Sequence, residues 1–277
     1  NPQPICANTA EPQASHLSAI GFREHLIDIQ NHRVFVRTCG APSNKAVICW
    51  HGFARNGSDF STIARHLASK YFVICPDTPG RGLSDWLPKK SYNLSYYQLV
   101  AINLIKHFNI RKRLHWIGTS MGGVLGMIMA ADPNTQKYID RLVVNDVGPE
   151  VPQEAIRPIR EYASQKMIFK NLAESEKFFR QIYAPFGNLS EQEWQLLVAH
   201  SVRRLEDGNL TQHYDPAILE QFEVPQNRAL AWAMFSSITC RILLIRGTDS
   251  DVLPERIANR MVNSALRVER LDVKDVG

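Results

Sequence analysis

Five short, continuous apolar runs alternate with helix-length segments along this chain, and that alternation restricts the fold more than any other feature. Ala46-Val47-Ile48-Cys49-Trp50, Tyr71-Phe72-Val73-Ile74-Cys75, Leu114 to Ile117, Ile139 to Val144 and Arg241 to Ile245 lack the in-out pattern of a half-exposed strand. Strands of that kind are covered on both faces. Ser58 to Ser69, Leu94 to Phe108, Met121 to Ala131 and Pro254 to Val262 supply helices to cover them. Strand and helix in turn predict an α/β protein with a mostly parallel, doubly wound sheet. Phe22 to Ile29 and His32 to Arg37 do alternate, and Gln30-Asn31 between them marks an opening antiparallel hairpin. Arg267 to Val273 adds a last strand.

One interval breaks the alternation. From about Gly148 to Phe235 there is no strand-like run, only helical patterns over Ile156 to Ile168, Glu174 to Tyr183 and Glu191 to Leu205, punctuated by Pro185-Phe186-Gly187 and Asp207-Gly208. The expectation is a helical cap of residues 148–235 inserted into a core of residues 19–147 and 236–277. Sites in open α/β sheets lie at the carboxyl ends of the strands, where an insertion at this point falls. Residues 1–18, rich in Pro, Ala, Gln and Ser, read as a disordered leader, and Asn1 in first place points to an upstream signal peptide or an omitted start.

Composition excludes several classes. The net charge of +5 is spread over short clusters, Lys89-Lys90, Arg111-Lys112-Arg113 and Arg203-Arg204, with no aromatic residues between them, which argues against a nucleic-acid surface. No run approaches the ~18 apolar residues of a membrane span. The five cysteines, Cys6, Cys39, Cys49, Cys75 and Cys240, are odd in number and form no C-x-x-C pair, so neither disulfides nor a zinc site is expected. Cys49 and Cys75 within apolar runs favour the reducing cytoplasm over the periplasm.

The chemistry centres on Gly118-Thr119-Ser120-Met121-Gly122, a G-x-S-x-G pentapeptide between a strand-like run and a small-residue helix. Strand, sharp turn and helix form a nucleophile elbow that strains Ser120 and projects its hydroxyl into a cleft. The Met121 amide and the helix dipole then lie beside any oxyanion formed there. His51-Gly52-Phe53 directly follows the third strand and resembles the HG-x oxyanion segment of the α/β-hydrolase family, which implies that the Phe53 amide joins that of Met121 as an oxyanion donor.

In these motifs, and in Asp77-Thr78-Pro79-Gly80-Arg81-Gly82-Leu83-Ser84-Asp85, the chain resembles the α/β-hydrolase family over residues 20–277. The resemblance implies a Ser, acid, His triad in that chain order. Asp251 is the first candidate acid, because Ser250-Asp251-Val252-Leu253 resembles the S-D-[VIL]-L run of a bacterial subset; Asp249 and Asp146 are alternates. None of the nine histidines follows the acid loop, and the resemblance places the base just past Gly277. Asn145-Asp146-Val147-Gly148-Pro149 is similar to the cap entry of bacterial carboxylesterase-like hydrolases related to enol-lactonases and meta-cleavage-product hydrolases.

The implied activity is hydrolysis of an ester, thioester, lactone or activated C–C bond of a small molecule, without metal or organic cofactor. Arg55 and Asn56 are candidates to bind a substrate carboxylate or carbonyl. Trp232, with Trp194, Phe178 and Phe179, is available to line an apolar pocket, although aromatic residues at helical spacing equally form a cap core. The competing expectation is a pseudo-hydrolase that binds a small ligand without turnover.

Overall fold

A computed structural model of the chain describes residues 21–223 and 227–277, so the expected leader, Cys6 included, lies outside the described residues. The opening hairpin pairs β1 (Arg23–Ile29) with β2 (His32–Cys39) in antiparallel register, Ile29 facing His32 across the Gln30-Asn31 turn. β2 also runs antiparallel to β4 (Tyr71–Pro76). From there the pairing is parallel through β3 (Lys45–Trp50), β5 (Leu114–Thr119), β6 (Ile139–Asn145), β9 (Arg241–Gly247) and β10 (Val268–Val273). The spatial order of this sheet is β1-β2-β4-β3-β5-β6-β9-β10.

Alternate residues of the central strands enter different cores. Ala46, Ile48 and Trp50 of β3 join Phe72 and Ile74 of β4 in one apolar cluster, while Val47, Cys49, Val73 and Cys75 join another on the opposite face. The period of two along a strand is thereby converted into a sheet covered on both sides, as the continuous apolar runs require. The covering helices are α1 (Ser61–Leu67), preceded by a 3-10 turn at Gly57–Phe60, and α2 (Leu94–His107), α3 (Met121–Ala131) and α8 (Glu255–Ser264).

After β3 the chain leaves for β4 on one side and returns to β5 on the other, so the winding reverses between β3 and β5. That reversal opens a crevice beyond the carboxyl ends of the two strands. His51-Gly52-Phe53 leaves one end and Ser120 the other.

Between β6 and β9 the chain forms α4 (Gln153–Ser164), α5 (Leu172–Ile182), α6 (Glu191–Ser201) and α7 (Arg228–Ser236). The expectation of helices alone needs correcting here. Helix α6 stops at Ser201, and β7 (Val202–Arg204) pairs antiparallel with β8 (Leu210–Gln212), with Phe169 bridged to Leu210. Each strand is three residues long, too short and too polar to read as an apolar run. Met167, Phe169, Phe179, Tyr183, Trp194, Val198, Val202 and Leu210 give this interval an apolar cluster of its own.

Helix α3 approaches the sheet so closely that its first turn has no room for a Cβ. One built on Gly122 would stand 2.0 Å from the Trp50 carbonyl oxygen, and one on Gly118 would stand 2.1 Å from the Gly122 carbonyl oxygen. Both obstacles are backbone, which cannot rotate away. Gly122→Ala is therefore expected to cost about 3 kcal/mol or more, at the upper end of overpacking penalties. A urea midpoint that implies a loss below about 1 kcal/mol would show the turn to be looser than this.

Candidate active site

Ser120 occupies the single residue between β5 and α3, with φ 51° and ψ −116°. A non-glycine residue at such angles costs about 1–3 kcal/mol and persists only where its surroundings enforce it. Here the Ser120 N–H donates to the Asn145 carbonyl at 2.9 Å, while its own carbonyl accepts from the N–H groups of Gly123 at 2.8 Å and Val124 at 3.0 Å. The strained residue is thus tied to the neighbouring strand end and to the helix it starts.

The loop after β3 runs alongside. A Cβ on Gly52 would lie 3.7 Å from the Ser120 Cβ, so the peptide leading to Phe53 borders the serine. Phe53 and Met121 are both buried, and among the described residues neither N–H has a hydrogen-bond acceptor. A buried, unpaired amide is costly unless something else uses it.

His51 is the clamp of this loop. Its Nε2 accepts from the Thr78 N–H at 2.9 Å, which leaves Nδ1 protonated to donate to the Gly52 carbonyl at 2.7 Å. The Thr78 hydroxyl sits 2.9 Å from the same Nε2 and accepts from the Trp50 indole at 2.9 Å. Burial is the main cause that lowers the imidazole to about 3, and the charges of Arg81 and Arg55 add to it. His51 is therefore neutral and structural. Next to it, burial pushes the Asp77 carboxyl up to about 6, against the opposing effect of the N–H groups of Leu83 and Gly57 that it accepts.

Arg81, which the sequence presents only as part of a loop that shapes the backbone, is fully buried at the same place. Its Nε donates to the Phe53 carbonyl at 2.9 Å, and its two terminal nitrogens reach Pro79 O (3.0 Å), the Tyr97 hydroxyl (2.6 Å), Gln221 Oε1 (2.9 Å) and Met121 Sδ (3.7 Å). The one sequence signal for it was a lone basic residue between two turn glycines.

The three candidate acids separate clearly. Asp146 follows β6 with φ 54° and is largely withdrawn from solvent; its Oδ2 accepts from the Ser250 hydroxyl at 2.8 Å and its Oδ1 from the Gly247 N–H at 3.4 Å. Burial raises its carboxyl above the ordinary range, and those two hydrogen bonds pull it back only in part. Asp249 and Asp251 are exposed. Asp249 touches the Thr248 hydroxyl at 3.3 Å, and Asp251 makes no hydrogen bond or ion pair among the described residues. Gly277 folds back beside this group, its N–H donating to the Pro185 carbonyl at 2.8 Å while its Cα packs against Asp249 and Ser250. No imidazole among the described residues hydrogen-bonds Ser120.

Arg55 and Asn56 are engaged elsewhere. Arg55 lies over the Tyr183 ring, pairs with Asp59 through Nε at 2.9 Å and Nη2 at 2.5 Å, and donates its remaining nitrogen to the Ser201 hydroxyl. Asn56 caps the Gly57–Phe60 turn and donates to the His200 carbonyl at 2.8 Å. Both tie the sheet's loops to the end of α6, and each nitrogen of the Arg55 guanidinium already has a partner. Trp232 packs in the main core, donates to Glu150 Oε2 at 2.9 Å and carries Arg260 over its ring. Trp194, Phe178 and Phe179 lie in the cluster between β6 and β9. Among the described residues no group of three or more His, Cys, Asp or Glu is placed to hold a metal, and no helix is long and apolar enough to cross a membrane.

A sheet wound this way, with a strained serine at the switch point and two unengaged amides beside it, defines an α/β hydrolase, and the comparisons agree. The α/β-hydrolase-fold family profile matches residues 45–265, and the chain belongs to that family. It is 32% identical over 269 residues to a 3-hydroxybutyrate-oligomer hydrolase from Cupriavidus necator, covering 93% of this chain and 91% of that protein. Among solved structures, an α/β hydrolase from Novosphingobium aromaticivorans superposes with a TM-score of 0.83 at 28% identity, covering 92% of this chain and 91% of that one. A Rickettsia typhi protein does so with a TM-score of 0.82 at 29% identity, over 93% and 92%.

The neutrality of His51 has a measurable consequence. A folded-state value of about 3, below the ~6.5 of an unfolded histidine, contributes stability above pH ~6.5 that is lost as pH falls toward 3. Wild-type unfolding free energy should therefore decline through this window by up to about 4 kcal/mol from this group alone. In His51→Gln that part of the slope should vanish. Asp77 titrates in both proteins and cancels in the comparison; parallel pH profiles in chemical denaturation would contradict the assignment.

Proposed function

We propose that this protein is a serine esterase that cleaves a carboxylic ester of a small molecule through an acyl-enzyme on Ser120. The observation that carries the reading is the pair of unengaged amides on Phe53 and Met121, the first next to Gly52, which borders Ser120, and the second directly after a serine held at φ 51°. In the proposed reaction a base takes the Ser120 proton, Oγ bonds to the ester carbonyl carbon, and the oxygen's negative charge falls on the two amides. The protonated alcohol leaves, and water attacks the acyl-enzyme by the same steps. Asp146 is preferred over Asp249 and Asp251 as the acid, because it alone of the three is partly buried and held by two hydrogen bonds. The base this reading requires is an imidazole within reach of the Ser120 hydroxyl, and among the described residues none hydrogen-bonds it.

Residues 148–235 act in this reading as a cap that closes the substrate pocket over Ser120, supported by their separate apolar cluster and their ties to Arg55 and Asn56. The substrate class is a short ester of a hydroxy acid. Support comes from the Cupriavidus necator relative, a 3-hydroxybutyrate-oligomer hydrolase, with which the similarity runs nearly end to end. The buried thiols of Cys49, Cys75 and Cys240 fit the reducing cytoplasm.

A fluorophosphonate probe should label the natural full-length protein and not Ser120→Ala; an unlabelled wild type would refute the reading. On p-nitrophenyl butyrate, Asp146→Asn should lower kcat by about 100-fold or more, while Asp251→Asn stays within about threefold. The reverse pattern would move the acid to Asp251. Release of monomer from the linear dimer of 3-hydroxybutyrate, followed by mass spectrometry, tests the substrate class.

A further inference from the structure

The geometry points to Arg81 as a positioning residue whose buried guanidinium, held without an ion pair, supports the anion that the reaction forms, and the inference rests on the serine-esterase reading above. Every hydrogen-bond acceptor of its guanidinium is neutral: two backbone carbonyls, a phenol, an amide and a thioether. Among the described residues no carboxylate lies within ion-pair distance of it. The rings of Tyr97, Phe53 and Tyr92 surround the group at 5.2, 5.4 and 5.9 Å, and water does not reach it. A buried cation without a carboxylate is expensive to maintain, and an uncharged side chain of similar size would hold the loop without that cost.

What the charge does follows from where it sits. Arg81 bonds the carbonyl of Phe53 and touches the sulfur of Met121, the two residues beside Ser120 whose amides have no acceptor among the described residues. In the ground state the ester oxygen is neutral and gains little from a cation behind those amides. In the tetrahedral intermediate that oxygen is an anion, and through the dry volume that holds Arg81 the attraction is stronger than it would be across water. Arg81 thus stabilises the transition state more than the bound ester, which raises kcat with little change in KM. It acts through the peptides of Phe53 and Met121 and does not touch the substrate.

The decisive variant leaves Arg81 in place. Gln221 Oε1 accepts from the guanidinium at 2.9 Å, so Gln221→Glu puts a carboxylate of nearly the same shape against it and gives the cation a permanent partner. The expected result is a fall of about 10-fold in kcat on p-nitrophenyl butyrate with KM within threefold. A similar fall is expected in affinity for butylboronic acid, which forms a tetrahedral anion on Ser120, while the thermal midpoint is unchanged or raised. Arg81→Lys, which keeps the charge and loses the fork, should retain more activity than Arg81→Met. Full kcat and boronate affinity in a folded Gln221→Glu would overturn the inference and leave the esterase reading intact. A wild type that no fluorophosphonate labels would overturn both.

Discussion

The close approach of the first turn of α3 to the end of β3 is the constraint from which the rest of the site follows. With Gly122 seated on the Trp50 carbonyl and Gly118 beneath Gly122, the helix starts immediately after the strand, and the residue between them has only one way to turn. That residue is Ser120. Its strain is borne by three backbone hydrogen bonds to β6 and α3 rather than by its side chain, which leaves the hydroxyl free. Because β3 and β5 lie at the point where the winding reverses, the same approach sets the serine beside Gly52 and Phe53.

A second level of order is electrostatic. The loops after β3 and β4 bring an imidazole, a carboxyl and a guanidinium into one dry volume, and each resolves its burial differently. His51 stays neutral by accepting one N–H and donating to one carbonyl; Asp77 accepts two N–H groups yet remains poised near pH 6; Arg81 keeps its charge among neutral acceptors. Rigid, pre-oriented dipoles and charges of this sort act without reorganising as the reaction proceeds.

The sheet was legible in the sequence because being covered on both faces leaves a direct trace, the uninterrupted apolar run. The pair β7–β8 left none: three-residue strands held by backbone pairing, with Thr211 and Gln212 buried through hydrogen bonds, carry no periodicity to read. At the site, Ser120 was legible because the elbow is local, written in five consecutive residues and their flanks. The acids were not separable, since the burial of Asp146 depends on Ser250 and Gly247, about a hundred positions away. Arg55 and Asn56 looked available for the same reason. Their partners, Ser201 and the His200 carbonyl, lie across an interval whose docking no local pattern predicts.

That docking has an evolutionary consequence. The segment between β6 and β9 meets the sheet's own loops through side chains on the sheet side, Arg55 and Asn56, reaching one hydroxyl and one main-chain carbonyl at the end of α6. A carbonyl is present whatever residue occupies position 200, and a hydroxyl at 201 can be Ser or Thr. The His213 carbonyl adds a second main-chain attachment by accepting from the Gly82 N–H, whereas Gln221, Tyr183 and Phe222 are tied by their side chains to Arg81, Arg55 and Phe53. Substitution along this segment is thus least constrained where only its backbone is held, at positions 200 and 213, and most constrained where Arg55, Arg81 and Phe53 grip its side chains.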